Sequence, residues 1–249
     1  MSNLPAFCFY KTFDPEPAKA FQTDRHYLLY ASKGSLRLIT ADRCWTLPPS
    51  RAAWIAANVS ITIEIPRTAT CCSVLFAADF VPVPEPSGRV FDMTPMAREM
   101  VLQCREWGPE SETLSDYAVQ IFKTLGMTCH ELSQNPANSW VPLGKSQALQ
   151  RAISYTETEL ASDLAFPDVA AAAHMSERSL ARRFADEIGM TWRQCQRRMR
   201  MVRAIELLST DRQITEIALD VGYNSLSAFN SAFKDFTGLN PSEYRTNAR

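Results

Sequence analysis

Residues 214–238 read ITEIALDVGYNSLSAFNSAFKDFTG, and this stretch decides the fold because an earlier stretch repeats its pattern. Residues 166–189 read FPDVAAAAHMSERSLARRFADEIG. In both copies a turn residue follows a valine or isoleucine by five positions, and three later markers follow a serine by four, eight and thirteen positions. Matched spacing of this kind predicts a short helix, a tight turn and a second helix of about three turns closed by glycine.

The markers of the repeat have physical reasons. Ser176 and Ser225 are predicted to cap the second helix of each copy, while Gly189 and Gly238 supply the left-handed residue that ends it. Residues four apart share a helical face, so each second helix is predicted to bury an apolar stripe. The stripes are Leu180, Phe184 and Ile188 in the first copy and Phe229, Phe233 and Phe236 in the second. This pattern also fits two purely structural helical hairpins, so the exposed faces decide between the two interpretations.

The exposed face of the first copy favours DNA. With the apolar stripe buried, Arg178, Ala181 and Arg182 share the opposite side, and arginine pairs bidentately with guanine edges in the major groove. From residue 178 to residue 203, eight arginines stand against two carboxylates, a local charge of +6 in a chain of net charge −1. The first copy is therefore predicted to read bases.

The second copy has a less basic exposed face. It carries Ser227, Asn230, Ser231 and Lys234. Asparagine pairs with adenine and serine accepts several partners, so the prediction is weaker or less selective base readout, with Lys234 nearer a phosphate.

One long helix is predicted over residues 191–208, between the two copies. About 17 residues at 1.5 Å each span about 26 Å, close to the roughly 34 Å between successive major grooves on one face of DNA. Thr191, Arg193 and Arg197 are candidate phosphate contacts. The arginines around the helix also include Arg198 and Arg200.

An apolar stripe and a local ion pair are predicted on this same helix. The stripe consists of Met199, Val202, Ile205 and Leu208. Arg203 is expected to pair with a nearby carboxylate such as Glu206 rather than with DNA.

The first half of the chain has a different pattern. From Phe7 to about Phe80, short apolar runs alternate with turn residues at intervals typical of an all-β barrel or sandwich. After Pro82, Pro84 and Pro86 the periodicity becomes helical over residues 96–107 and 113–132. The apolar stripe of the second helix fits either packing against the β domain or a dimer seam.

The predicted fold class is α+β: an N-terminal β-barrel with flanking helices, then an all-α domain of two helix-turn-helix units joined by a long helix. The predicted segments are a sensor barrel at 1–90, a helical dimerisation or packing segment at 91–134, a linker at 135–145 and a DNA-binding domain at 146–249.

Composition excludes several classes of protein. The chain is 46% hydrophobic and 21% charged, as soluble globular proteins are, and no apolar run approaches the roughly 20 residues of a membrane span. The start, Met1-Ser2-Asn3-Leu4-Pro5, lacks a basic segment followed by an apolar one, which predicts a cytoplasmic protein. Seven cysteines without CxxC spacing argue against a disulfide framework. The pair Cys71-Cys72 is expected to pack on opposite faces of a strand rather than to sense redox state.

The C-terminal residues resemble the AraC/XylS family of transcriptional regulators over about residues 147–245. The resemblance rests on Ile214-Thr215-Glu216-Ile217-Ala218, Val221-Gly222-Tyr223, Phe229, Phe233-Lys234, Gly238, Pro241 and Tyr244-Arg245, with Arg200, Arg203-Ala204 and Leu207-Leu208 upstream. It implies a seven-helix DNA-binding domain. It also implies that Arg178, Ala181 and Arg182 contact bases, with Ser227, Asn230 and Ser231 at the matching places.

Two residues depart from the family pattern. His174 stands where the family usually has glycine in the first turn, and Ser231 stands where arginine is common. Histidine tolerates a left-handed backbone better than most residues, so the first turn is still expected to form. The loss of a second arginine reinforces the expectation that the first unit dominates specificity.

The N-terminal half is similar to the cupin-like sensor domain of this family. Residues 47–55, Leu-Pro-Pro-Ser-Arg-Ala-Ala-Trp-Ile, carry most of that likeness. A metal-dependent cupin enzyme needs a cluster of imidazole and carboxylate ligands, and this barrel offers one histidine, His26. No metal, cofactor or catalytic residue is therefore expected, and His26 is predicted to be structural.

The resemblance implies a regulator, commonly an activator. Its expected partners are double-stranded DNA, a small-molecule effector, RNA polymerase and a second copy of the chain. A regulator whose barrel binds no effector and serves only dimerisation or protein contact is the alternative, and a cupin enzyme with an appended DNA module is disfavoured by the missing ligands.

Overall fold

The computed structural model describes residues 3–40, 43–83 and 88–248. These form two compact units. The first takes in most of the chain up to Asn138, and the second takes in Ser139–Arg245 together with a short earlier segment that includes residues 43–45. The outer ends of the predicted segments 1–90 and 146–249, and Pro84 and Pro86 of the predicted break, lie outside the described residues.

The strands confirm the β reading of the first half. They are β1 (Ala6–Phe13), β2 (Glu16–Phe21), β3 (His26–Lys33), β4 (Leu36–Ile39), β5 (Arg43–Leu47), β6 (Arg51–Ile55), β7 (Ile61–Ile65), β8 (Ala69–Phe76), β9 (Arg89–Asp92) and β10 (Trp140–Pro142). The first unit contains an antiparallel sheet in the order β1-β8-β3-β6-β9 and a second antiparallel arrangement in the order β4-β7-β2.

The central strands of the first sheet are buried on both faces. In β3 the residues from His26 to Ala31 are all buried, as are all five residues of β6. Strands covered on both sides read as continuous apolar runs rather than as alternating patterns. One face of this sheet packs against helices α1 (Pro95–Gln103) and α2 (Asp116–Ser133) in a common core.

Aromatic rings join the sheet to α2 in that core. The Trp54 and Phe76 rings meet edge to face at 5.3 Å, and the Phe76 and Phe122 rings meet at 6.2 Å. Edge-to-face geometry places the positive ring edge on the negative face of its neighbour and adds to the stabilisation from area burial. The apolar stripe of α2 therefore packs on the sheet, although Tyr117 and Met127 of the same helix remain exposed.

The edge strand β2 went unrecognised in the sequence. All six of its residues are exposed, so the alternation that normally marks a half-buried strand is missing. It forms because its backbone pairs with β7, with Phe21 opposite Ile61.

The second unit is mainly helical. Its helices are α3 (Gln147–Thr158), α4 (Phe166–Ala172), α5 (Glu177–Ile188), α6 (Trp192–Leu208), α7 (Ile214–Asp220), α8 (Leu226–Thr237) and α9 (Pro241–Ala248). The described part of the chain after residue 146 thus has the seven helices that the resemblance implied, and the α+β class is confirmed. Within the segment expected to be a linker, β10 forms and pairs antiparallel with β5, with Trp45 opposite Trp140.

His26 holds two loops of the first unit together, as predicted for a structural residue. Its Nδ1 accepts the Ala57 N–H at 3.0 Å, and its Nε2 lies 3.1 Å from the Ala78 carbonyl oxygen. Only the neutral ring with a proton on Nε2 satisfies both contacts. Burial lowers the pKa of His26, against the opposing effect of the Ala78 hydrogen bond.

Cys71 and Cys72 are buried on β8, as expected for strand packing. The Cys72 sulfur lies 3.7 Å from the Cys8 sulfur on β1. In the described residues no group of three or more histidine, cysteine or acidic side chains has the arrangement of a metal site. Among those residues no helix is both long and apolar enough to span a bilayer.

The neutral state of His26 predicts a pH-dependent stability. Because its folded pKa lies below the ordinary value of 6.5, the unfolded chain binds more protons than the folded one as pH falls through that value. The unfolding free energy of the first unit, measured with urea, should therefore fall between about pH 7.5 and about pH 5.5. His26→Gln should flatten this slope, and an unchanged slope in the variant would contradict the role assigned to His26.

Candidate nucleic-acid interface

The two helix-turn-helix units have equal element lengths. Helices α4 and α7 each have 7 residues, and α5 and α8 each have 12. The side chains of Ser176 and Ser225 cap the N-termini of α5 and α8, and Gly189 and Gly238 end them with φ of 67° and 80°. The repeat predicted from the sequence is confirmed.

The turn between the helices is left-handed in both units. His174 has φ 57° and Gly222 has φ 80°, so histidine does take the place of glycine in the first turn. His174 is exposed, which leaves room for its side chain. Gly222 has no such room, because a Cβ there would lie 2.8 Å from the Leu160 carbonyl oxygen and 2.6 Å from the Arg200 guanidinium.

The apolar stripes bury the inner faces of the second helices. Leu180, Phe184, Phe229 and Phe233 are fully buried, whereas the predicted members Ile188 and Phe236 are only half-buried at the helix ends. The first helix-turn-helix shares one core with α3 and the start of α6. This packing sets which side of α5 faces outward.

The outward side of α5 carries the three residues predicted to face bases. Arg178, Ala181 and Arg182 are exposed, and the two arginines make no hydrogen bond or ion pair with other described residues. Arg183, next along the helix, instead pairs with Glu187 at 3.0 Å. The structure thus leaves two guanidinium groups, one helical turn apart, open to an external ligand.

The outward side of α8 differs from the prediction at one position. Ser227, Ser231 and Lys234 are exposed, but Asn230 is half-buried, and its Oδ1 is buried without a hydrogen-bond partner among the described residues. The helical spacing had predicted an exposed Asn230. Asn230 follows Phe229, about 100° around the helix from that buried ring, and so lies at the border of the inner face.

The predicted phosphate contacts on α6 have unequal surroundings. Thr191 and Arg193 are exposed, and Thr191 caps the helix in a reciprocal box with Gln194. Arg197 is exposed but forms a 3.0 Å ion pair with Asp235 of α8. The expected pair of Arg203 with Glu206 is confirmed at 2.6 Å.

Two of the arginines around α6, Arg198 and Arg200, are turned into the fold. Both side chains are half-buried and bind backbone carbonyls. Arg198 donates to the Trp140 carbonyl at 2.5 Å, and Arg200 donates to the carbonyls of Leu160 at 3.2 Å and Gly222 at 3.0 Å. Burial is the main cause that lowers the pKa of both guanidinium groups.

Glu187 fixes the start of α3 beside the first recognition helix. Its Oε2 accepts the backbone N–H groups of Lys145 and Ser146 at 3.0 and 2.8 Å, while Oε1 accepts from Arg183. Burial acts to raise the pKa of Glu187, but hydrogen bonds from Ser146, Arg183 and Lys145 outweigh it, and the net shift is downward. This anion at a helix N-terminus is favourably placed relative to the helix dipole.

Known proteins with similar sequences are regulators. A family profile described as a helix-turn-helix domain matches residues 169–247. The HTH-type transcriptional regulator NimR of Escherichia coli is 24% identical over 242 residues, which cover 96% of this chain and 86% of NimR. An uncharacterised HTH-type regulator of Staphylococcus aureus is 33% identical over 92 residues, 36% of this chain but only 12% of that protein.

The chain belongs to the AraC/XylS family. It is a DNA-binding transcriptional regulator of the AraC type, as its duplicated helix-turn-helix units and its relatives show. Among solved structures, the C-terminal domain of the response regulator AraT from Geobacillus stearothermophilus is 36% identical, covers 41% of this chain and 85% of that chain, and has a TM-score of 0.39.

Two charged residues of the helical unit bind backbone groups that no sequence pattern indicates. These residues are Glu187 and Arg245: Arg245 donates to the carbonyl of Leu208, the last residue of α6, at 3.3 Å and to that of Arg212, beyond the helix, at 2.7 Å. A charged side chain that binds distant carbonyls has no local spacing signal. Arg245 was recognised only as part of the family resemblance.

The two left-handed glycines of the second helix-turn-helix, Gly222 and Gly238, provide a matched pair of substitutions. Gly222 and Gly238 both have φ 80°, but a Cβ at Gly238 would meet nothing within 4 Å. Gly238→Ala should lower the unfolding free energy by about 1–2 kcal/mol, the cost of a left-handed alanine. Gly222→Ala should cost about 1–3 kcal/mol more, because the methyl group also displaces Arg200 or Leu160. Urea unfolding measures both, and equal losses would contradict the close packing at Gly222.

Proposed function

We propose that the regulator reads its operator with two unequal helices, α5 as the main reader and α8 as a permissive one. The observation that carries the proposal is the pair Arg178 and Arg182, exposed one turn apart on α5 without partners among the described residues. Two arginines so placed suit bidentate pairing with guanine O6 and N7.

The second reader contributes less selectivity in this proposal. Ser227 and Ser231 occupy the positions of α8 that match Arg178 and Arg182, and hydroxyl groups form hydrogen bonds with several base edges. Asn230 contributes its amide group only as far as its half-buried position allows. Lys234 lies further along the helix, in reach of a phosphate.

Phosphate contacts come from α6 and its N-terminus. Thr191 and Arg193 are exposed there, and Arg197 becomes available when DNA phosphate replaces Asp235 as its partner. The 17 residues of α6 span about 26 Å, a length suited to holding two readers near the ~34 Å separation of successive major grooves.

The main reader is tested by replacing its arginines. On a duplex selected from random sequence by the wild-type chain, Arg178→Ala and Arg182→Ala should each weaken binding by about 5- to 150-fold, because a bidentate base contact contributes about 1–3 kcal/mol. Binding to unrelated DNA should fall much less. Fluorescence anisotropy at several salt concentrations measures both affinities.

Arg183→Ala is the matched control, since it removes a neighbouring arginine of α5 that pairs with Glu187. This variant should retain most of the specific affinity. If the Arg178 and Arg182 variants bind the selected duplex as tightly as wild type, α5 is not the main reader.

We further propose that the N-terminal part, with its sensor barrel at 1–90 and its helical segment at 91–134, controls DNA binding through an effector or through dimerisation. In this proposal the 135–145 segment joins it to the DNA-binding domain at 146–249, and the regulator activates transcription through contact with RNA polymerase. Trp54 favours an effector: its side chain is fully buried, and its Nε1 has no hydrogen-bond partner among the described residues. A ligand oxygen would satisfy that donor.

The alternative is a regulator whose N-terminal part serves only dimerisation or protein contact. It is favoured by Tyr117 and Met127, which are 62% and 63% exposed on α2. Tyrosine and methionine are enriched at protein interfaces relative to the rest of the surface.

A thermal-shift screen separates the two alternatives. A ligand that binds only the folded protein at 100 times its Kd stabilises it by about 2.7 kcal/mol and raises Tm. Effector control predicts such a shift with at least one metabolite class, reduced in Trp54→Phe, which lacks the indole N–H. A shift of the same size in Trp54→Phe would remove the role assigned to Trp54, and no shift across a broad metabolite set would favour the alternative.

A further inference from the structure

A segment of the N-terminal half is built into the DNA-binding unit. Strand β5 divides between the two units: residues 43–45 cluster with the helical unit, while Thr46 and Leu47 continue into the first. Within the helical unit, β5 pairs antiparallel with β10, with Cys44 opposite Val141. Because the backbone of β5 is continuous, any displacement of the strand acts on both its ends.

The contact centres on Trp140. The Arg43 guanidinium lies 4.5 Å from the centroid of the Trp140 ring, and the Arg198 guanidinium lies 4.0 Å from it. Arg198 also donates a hydrogen bond to the Trp140 carbonyl. One residue of β10 therefore receives a cation from β5 and a second from the long helix α6.

The same contact extends to the second reader. The Arg198 guanidinium lies 5.4 Å from the centroid of the Phe236 ring on α8. The preceding residue, Arg197, also joins α6 to α8 through its ion pair with Asp235. Arg198 thus holds α6, β10 and α8 together. Through Trp140, β5 is in contact with the same β10 residue that binds α6, the helix between the two readers.

We propose that Arg43 and Trp140 are positioning residues for DNA binding, and that docking of β5 on β10 holds α6 and α8 in the arrangement that binds the operator. This inference rests on the proposed operator binding. It assigns the coupling between the N-terminal part and the readers to a single strand, whichever signal the N-terminal part receives.

The proposal implies reciprocal coupling. If docking of β5 strengthens operator binding by some factor, the operator must strengthen docking of β5 by the same factor. Cys44 lies on β5 and is half-buried, whereas the other six cysteines of the chain, all among the described residues, are buried. The rate at which N-ethylmaleimide alkylates Cys44 therefore reports release of the strand.

The experiment compares Arg43→Ala with Arg37→Ala in the full chain. Both remove one arginine from neighbouring strands, but Arg37 lies on β4 beside Glu64 of the first unit. Arg43→Ala should weaken binding to the selected duplex by about 3- to 30-fold, the range that a desolvated cation–π contact supports. It should also speed alkylation of Cys44, located by peptide mass mapping, while Arg37→Ala matches wild type in both.

Two further readouts separate positioning from other causes. A lost phosphate contact lowers the slope of log affinity against log salt by about one, whereas loss of a positioning residue leaves the slope unchanged. Trp140→Phe should retain most of the affinity and Trp140→Leu should not, because only the first keeps an aromatic face for both cations.

The outcomes decide the proposal separately from the proposed function. Wild type must bind the selected duplex, and saturating duplex must slow alkylation of Cys44 in wild type. Equal affinity of Arg43→Ala and Arg37→Ala, a lowered salt slope in Arg43→Ala, or an alkylation rate that the duplex does not change would each overturn the role of β5. A wild-type chain with no specific binding would instead overturn the proposed function.

Discussion

The arrangement of the DNA-binding unit depends on the Arg200 guanidinium. This group, on the long helix α6, binds the Leu160 carbonyl ahead of the first helix-turn-helix and the Gly222 carbonyl in the turn of the second. One side chain therefore ties the segment before the first helix-turn-helix, and the turn of the second, to the helix that joins the two. The contact is available only because Gly222 has no side chain, since a Cβ would occupy the space of the guanidinium. Three carbonyl contacts, the third to Ser162 at 3.4 Å, replace the water lost when this cation is half-buried.

This constraint explains why the two turns tolerate different residues. In the first turn the arginine binds the residue before the left-handed one: Arg151 donates to the Ala173 carbonyl at 3.0 Å, and His174 projects into solvent at a modest backbone cost. The second turn is buttressed, and a side chain there conflicts with Arg200. The duplicated units thus share a backbone but not a set of supporting contacts, which matches the difference between their DNA-facing sides.

Local patterns in the sequence located the two helix-turn-helix units and the long helix between them. The capping serines, the closing glycines and the stripe through Leu180 and Phe184 act within one or two helical turns, so spacing alone located the repeat and its buried face. Strands β3 and β8 were likewise apparent as apolar runs. The α+β class followed from these two patterns together.

Other features depend on contacts between distant residues. Strand β2 is wholly exposed and exists through pairing with β7, and β10 forms in a predicted linker through pairing with β5. The helical period placed Arg198 and Arg200 around α6, but it could not indicate that backbone carbonyls from elsewhere in the fold accept their hydrogen bonds. Asn230 was predicted on the outer face, but it lies only about 100° around the helix from the buried Phe229, and its Oδ1 is buried.

The central claim is that α6 holds two readers of unequal strength about one DNA turn apart. The most direct test is the affinity of wild-type protein for every single-base-pair variant of a selected operator. The account predicts two clusters of sensitive base pairs centred about 10–11 base pairs apart. One cluster should contain G·C pairs whose replacement costs about 1–3 kcal/mol of binding free energy each. Replacement of a base pair in the other cluster should cost clearly less. Equal losses in both clusters, or a single undivided cluster, would contradict it.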